Sequence, residues 1–94
     1  RGPVPFHGYY YRILTGQGPD APGGAEDYVA RGHMIGGFGL VAFRANFGVS
    51  VVMTFIVNHD GVVYEKDLGP STAARAQQMK LFNPDSGWRK VTPN

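Results

Sequence analysis

The sequence predicts an α+β domain, an antiparallel β-sheet with one C-terminal helix packed on it. Three observations carry that prediction. Runs of β-branched and aromatic residues alternate with Gly, Pro and Asp turn signals as far as residue 67, an Asp-Gly pair at 60–61 joins two apolar runs, and residues 70–82 are composed almost wholly of good helix formers. The 94 residues, 43% of them hydrophobic, are enough for one core and one domain, residues 1–94. A chain of this size buries only somewhat more than ~60% of the surface its unfolded form exposes, so modest stability is expected unless a partner covers more of it.

Residues 6–14 read as a strand with Tyr9, Tyr11 and Ile13 on one face. Residues 15–26, with Gly16, Gly18, Pro19, Pro22, Gly23 and Gly24, read as a surface loop, because glycine loses backbone entropy on ordering and proline lacks the N–H that a ladder uses. Sheet follows over 27–67. It opens with a short hairpin from Tyr28-Val29 through a turn at Ala30-Arg31-Gly32 to Met34-Ile35, and continues with a strand from Gly36 to Phe43 in which Phe38, Leu40 and Ala42 share one side. Glycines in such a strand mark close approach by another backbone or a bulge. The clearest local signal is the hairpin of 51–57 with 62–66 around Asn58, His59, Asp60 and Gly61, where Gly61 supplies the positive φ that tight turns demand. Met53, Phe55 and Val57 lie on one face of its first strand and Val52 and Ile56 on the other, which predicts a central strand buried on both sides. Residues 70–82 are the predicted helix, with Pro70 in its first turn, Lys80 complementing the dipole at its end, and Ala76, Met79 and Phe82 on the stripe that meets the sheet. Residues 83–94 read as a tail that Trp88 pins back onto the domain.

Nine Lys plus Arg against seven Asp plus Glu leave a net charge of +2, and the basic residues are scattered. Nucleic-acid binding needs them clustered, and the nearest approach, Arg89-Lys90, reads as solvated tail. The longest apolar stretch, 49–57, is broken by Ser50 and Thr54 and is far shorter than the ~20 residues of a membrane span, so a soluble chain without a direct membrane span is expected. The chain has no initiator Met and no signal-like segment, which leads us to expect an N-terminus made by processing, gene splitting or trimming. The absence of Cys excludes disulfides, thiolate metal sites and a Cys nucleophile without fixing the compartment.

Candidate chemistry is sparse. Tyr9, Tyr10, Tyr11, Arg12, Glu65 and Asp67 form the densest polar-aromatic set, and if their strands paired they could line a small-ligand cleft. The plainer reading is that the tyrosines fill half-buried sheet positions while Arg12 pairs with a neighbouring carboxylate. His7, His33 and His59, with Asp60, are not spaced as a preformed metal site, and His59 reads as a hairpin-tip residue. Ser50, Ser71 and Ser86 lack a nucleophile elbow; Glu65 and Asp67 read as a solvated edge; Gly36, Gly37 and Gly39 lack the spacing of a phosphate cradle. Asp20, Glu26 and Asp27 lack the alternate oxygen ligands of a calcium loop and read as exposed loop. No metal and no cofactor is implied.

The segments Phe6-His7-Gly8-Tyr9-Tyr10-Tyr11-Arg12-Ile13-Leu14, Ala21-Pro22-Gly23-Gly24-Ala25, Met34-Ile35-Gly36-Gly37-Phe38 and the stretch from Met53 to Gly69 resemble the C-terminal part of the bacterial family known as domain of unknown function 2950. The resemblance spans nearly the whole chain. It implies an exported protein, periplasmic, secreted or at the cell surface, whose longer members carry an N-terminal portion; it brings no activity. A weaker likeness, of pattern only, is to the globular sheet domains of type IV pilins and pseudopilins, from which the chain departs by lacking their long apolar N-terminal helix. The resulting expectation is a non-enzymatic, extracytoplasmic interaction or structural module, a subunit of a pilus-like cell-surface assembly being one form. Its protein partner would be the N-terminal portion of the longer protein, a separate pilin-like chain, or a second copy. The alternative is a small-ligand-binding or enzymatic domain whose site is completed by the N-terminal portion of the longer protein or by a partner chain, with Tyr9, Tyr11, Arg12, Glu65 and Asp67 as its residues here.

Overall fold

A computed structural model describes residues 8–44 and 53–91. In chain order these form β1 (Tyr9–Leu14), β2 (Gly16–Gln17), β3 (Glu26–Asp27), β4 (Val29–Ala30), β5 (His33–Met34), β6 (Gly39–Arg44), β7 (Thr54–Asn58) and β8 (Val63–Lys66). A 3-10 turn (Gly69–Ser71) leads into α1 (Thr72–Gln78), followed by β9 (Leu81–Phe82) and β10 (Arg89–Lys90). The main sheet has five strands in the order β1-β6-β7-β8-β10, every pairing antiparallel. The α+β class holds, with one short helix against an antiparallel sheet.

Period-2 alternation divides the sheet into two unlike faces. On one, Leu14, Val41, Phe43 and Ile56 join Ala76 of α1 and Phe82 of β9 in the core, with Tyr10, Tyr64, Met79 and Trp88 packed around them. On the other, no helix or strand among the described residues lies over the sheet. β7 is central in strand order, yet only its Thr54, Ile56 and Asn58 are buried, while Met53, Phe55 and Val57 are half-exposed. The expectation of a strand buried on both sides is therefore corrected: apolar residues on both faces do not guarantee two covers. Val51 and Val52 lie outside the described residues.

The turn after β7 follows its residues. The Gly61 amide donates to the Asn58 carbonyl at 2.8 Å with Gly61 at φ 81°, and the Asn58 side chain accepts from the Asp60 amide at 3.0 Å. The β4–β5 hairpin turns through Arg31 and Gly32, both at positive φ, as a two-residue mirror-image turn requires.

Four sequence expectations are corrected. Residues 15–26 are not simply a surface loop. Gly16–Gln17 pairs antiparallel with β3 and parallel with β9, and Gln17 is only 4% exposed. Here glycine serves close approach as much as freedom, since a Cβ on Gly18 would sit 2.4 Å from Asn83 Oδ1. The strand predicted from Gly36 begins only at Gly39, leaving Phe38 exposed before it. The helix ends at Gln78 rather than at 82, because Met79 turns extended (φ −70°, ψ 135°) so that Leu81–Phe82 can join β2. Helix propensity at 79–82 is outweighed by burial of Phe82. Finally, the tail is partly sheet. Arg89–Lys90 pairs with β8, the Val91 amide donates to the Val63 carbonyl at 2.8 Å, and the Lys66 ammonium lies 5.8 Å from the centre of the half-buried Trp88 ring.

Candidate functional site

The uncovered sheet face is assembled by register. Ile13 pairs with Leu40, Leu40 with Val57 and Val57 with Val63, giving one apolar row. Two residues along each strand lies a second row of Tyr11, Ala42, Phe55, Glu65 and Arg89. A third begins with Tyr9 and Arg44. The Tyr9 ring leans across to Phe55 with centroids 5.9 Å apart, its hydroxyl donates to the Met53 carbonyl at 3.2 Å, and the Arg44 guanidinium lies 5.7 Å from the ring centre. Ile13 is 58% and Tyr11 44% exposed, unusual for residues in the two apolar-rich rows of a sheet. Phe38, 49% exposed, extends the face where β6 begins.

Of the five candidate ligand residues, the fold brings Tyr9 and Tyr11 together and separates the rest. β1 pairs with β6 and not with β8, so two strands lie between the tyrosines and Glu65. Glu65 accepts from Arg89 Nε at 3.0 Å and makes a second close contact with its guanidinium. Asp67 lies beyond the end of β8, where its Oδ1 accepts from the Gly69 amide at 2.8 Å and fixes the turn into α1. Arg12 belongs to the opposite face. The expected pairing of Arg12 with a neighbouring carboxylate is not made among the described residues; its Nη1 instead donates to the carbonyls of Ala76 (3.2 Å), Gln77 and Met79 (3.1 Å). The Ala76 carbonyl also accepts from the Met79 amide at 3.2 Å; the last carbonyls of a helix lack i+4 donors, and a cation there also complements the dipole. The role foreseen for Lys80, which falls after α1, is thus taken by a residue 64 positions away in sequence from Ala76.

Replacing Arg12 with Met, which keeps the length and removes the donor, is expected to cost about 2 kcal/mol, the range of hydrogen bonds to charged groups. Chemical denaturation measures this. A loss below about 0.5 kcal/mol, ordinary for a surface change, would exclude Arg12 as the cap of α1.

The other chemical groups are spread out. His33 is exposed in β5, and His7 and Ser50 lie outside the described residues. His59 is more than a hairpin tip: its Nδ1 accepts from the Phe38 amide at 3.3 Å and its ring stands edge-on to Tyr28 (5.6 Å) and Phe38 (6.2 Å). Asp20 and Asn83 bind each other through side-chain amide and carboxylate at 3.2 Å, and Asp27 accepts from the Val29 amide at 2.9 Å, so both acids serve turns. Glu26, at the end of the expected loop, and Asp27, at the start of the expected sheet, form β3. Among the described residues no three His, Asp or Glu gather as metal ligands. An open groove of about 620 Å³ lies between Thr15, Glu26, Asp27 and Lys80, with few polar groups converging on it. No described helix is long and apolar enough to cross a membrane.

A family model described as protein of unknown function (DUF2950) matches residues 1–91. The chain belongs to the DUF2950 family. No curated protein and no solved structure gives a match.

One buried polar cluster of this DUF2950 chain carried no sequence signal. Gln17 Oε1 accepts from the Tyr28 hydroxyl at 2.8 Å and from Asn58 Nδ2 at 3.3 Å, while Gln17 Nε2 donates to the carbonyls of Pro22 (3.1 Å) and Gly24 (2.7 Å). Three segments distant in sequence meet there, so no local pattern announces it. Burial pushes the Tyr28 phenol above its ordinary value of 10.0; the Asn58 side chain offsets part of the rise, and Glu26 and Asp60 add to it. The fold therefore favours the neutral phenol. Its contribution is complete below about pH 10, the unfolded value, and is lost as pH climbs through the higher folded value. Urea midpoints from pH 8 to 11 should fall more steeply for the parent than for Tyr28→Phe; parallel curves would refute the assignment.

Proposed function

We propose that this chain is a non-catalytic, extracytoplasmic interaction module that works by docking its open sheet face onto a protein partner. The observation that carries the reading is the continuous apolar surface of Ile13, Leu40, Val57, Val63, Tyr11 and Phe55, with no element over it among the described residues. Extended apolar patches on stable folds mark interaction surfaces, and aromatic residues are enriched at their centres. The small size supports it too, since a short chain gains most from a partner that covers what its own core cannot. Placement outside the cytoplasm rests on the exported character implied by the family resemblance. The small-ligand alternative has less support, because Arg12 lies on the face opposite Tyr9, Tyr11 and Glu65. No feature of the described residues favours a pilus-like assembly over other interaction roles.

The test is a photo-reactive residue placed at Ile13 on the open face and, separately, at Ala74 on the exposed side of α1. Irradiation of producing cells should yield a discrete adduct from position 13 and none from position 74, in the extracytoplasmic fraction. Equal labelling from both positions, or adducts confined to the cytoplasm, would overturn the proposal.

A further inference from the structure

We infer that the partner of the open face is a second copy of this chain, docked face to face about a twofold axis that runs along β7. This rests on the reading of that face as a docking surface, and goes beyond it by naming the occupant and its geometry.

Size comes first. Five strands about 4.8 Å apart, six residues long in β1 and β6 and five, four and two in β7, β8 and β10, at about 3.3 Å rise, give a tapering face with a flat footprint of roughly 360 Å². Side-chain corrugation raises the accessible area lost above that flat footprint, which places the interface in the small, weakly associating class rather than at the ~800 Å² per partner of a standard one. Two such sheets pack about 10 Å apart with strands near-aligned, as in a β-sandwich.

Charge then selects one arrangement. The face carries Arg44 in its third row on β6, with Glu65 on β8, and Asp67, one residue past the last β7–β8 pair of Thr54 with Lys66, falls level with that third row. Arg44 is partly exposed, its guanidinium lying over the Tyr9 ring without a carboxylate partner among the described residues, and Asp67 is exposed with only Oδ1 engaged. A twofold axis along β7 preserves the rows and exchanges β6 with β8. It sets Arg44 of each copy opposite Asp67 of the other, Leu40 opposite Val63, and Tyr11 opposite Arg89. The alternatives fail on charge. An axis across the strands exchanges the first and third rows and buries Arg44 against Leu40; an axis along β6 sets Arg44 against its own copy. Burying an unpaired cation or apposing like charges is costly, whereas an opposed pair closes an isologous interface.

The purified chain is examined by sedimentation across micromolar to millimolar concentration, with Arg44→Asp and Asp67→Arg as variants. Circular dichroism first establishes that each variant is folded. The parent should be a dimer, each variant alone should self-associate at least about tenfold more weakly, as a lost ion pair within an interface predicts, and an equimolar mixture of the two should recover the parent affinity, because both contacts of the mixed dimer again join opposite charges. A geometric readout is independent of these variants. Nitroxides on Tyr11→Cys, in a chain with no other Cys, should lie about 20 Å apart, four strand spacings across the interface and one sheet separation, whereas the crosswise axis predicts about 10 Å. A monomer at millimolar concentration, a dimer indifferent to both variants, or a 10 Å separation overturns the twofold arrangement. A monomer that still gives the position-13 adduct with a different protein refutes self-association alone, and loss of that adduct refutes the docking face itself.

Discussion

Phe82→Ala is expected to destabilise the domain by about 3–5 kcal/mol, the range for removing a buried phenylalanine. Phe82 is 1% exposed, its ring lies 5.8 Å from that of Tyr64, and it closes the core over Leu14, Val41 and Ile56. It also anchors β9, so the cavity would loosen the parallel pairing with β2 that organises residues 16–27. Against a total stability of about 5–15 kcal/mol, a loss of this size lowers Tm by upwards of about 12 °C for a domain of this length. Differential scanning calorimetry measures it. A shift of only a few degrees would show that β9 is not part of the core, and the corrected end of the helix would fall with it.

The second large effect is expected from Gln17→Leu, which keeps the volume and removes every polar contact. The Tyr28 hydroxyl and Asn58 amide lose their shared acceptor in a buried site, and the carbonyls of Pro22 and Gly24 lose their donor. With about 1–3 kcal/mol for each buried group left unsatisfied, Tyr28 and Asn58 together predict a loss of about 2–6 kcal/mol. The loop from 18 to 25 is tied down by the same side chain, so it should become the first site of limited proteolysis. Urea denaturation and mass spectrometry of early fragments read the two effects. A variant with parental stability and an uncut loop would show that water replaces Gln17, and that the cluster does not organise the domain.

Both residues illustrate what is legible in this sequence. Phe82 falls on the stripe with Ala76 and Met79, and that grouping finds the right core neighbours although only Ala76 is helical. The stripe reports burial, which helix and strand can share, but the secondary structure of 79–82 is set by whether β2 is there to accept it. Gln17 gives no signal, because a polar residue among glycines and prolines looks the same whether water or Tyr28 satisfies it. Of the candidate site, the alternation that places Tyr9, Tyr11 and Ile13 on one face is local and readable. The side on which α1 would settle is not, and that decides which face stays open. The separation of Arg12 from Glu65 likewise depends on strand order.

The sequence alone determined the long strands of the main sheet, the Asn58–Gly61 turn and the presence of a helix beginning near residue 70, because period-2 alternation, a glycine at positive φ and helix propensity act over a few residues. Only the tertiary structure decided where that helix ends, that Arg12 caps it, that residues 16–17, 81–82 and 89–90 belong to sheets, and which face of β7 is covered. Those outcomes depend on hydrogen bonds and apolar contacts between segments tens of residues apart, and the energy of such a contact exists only once the fold has brought both partners together.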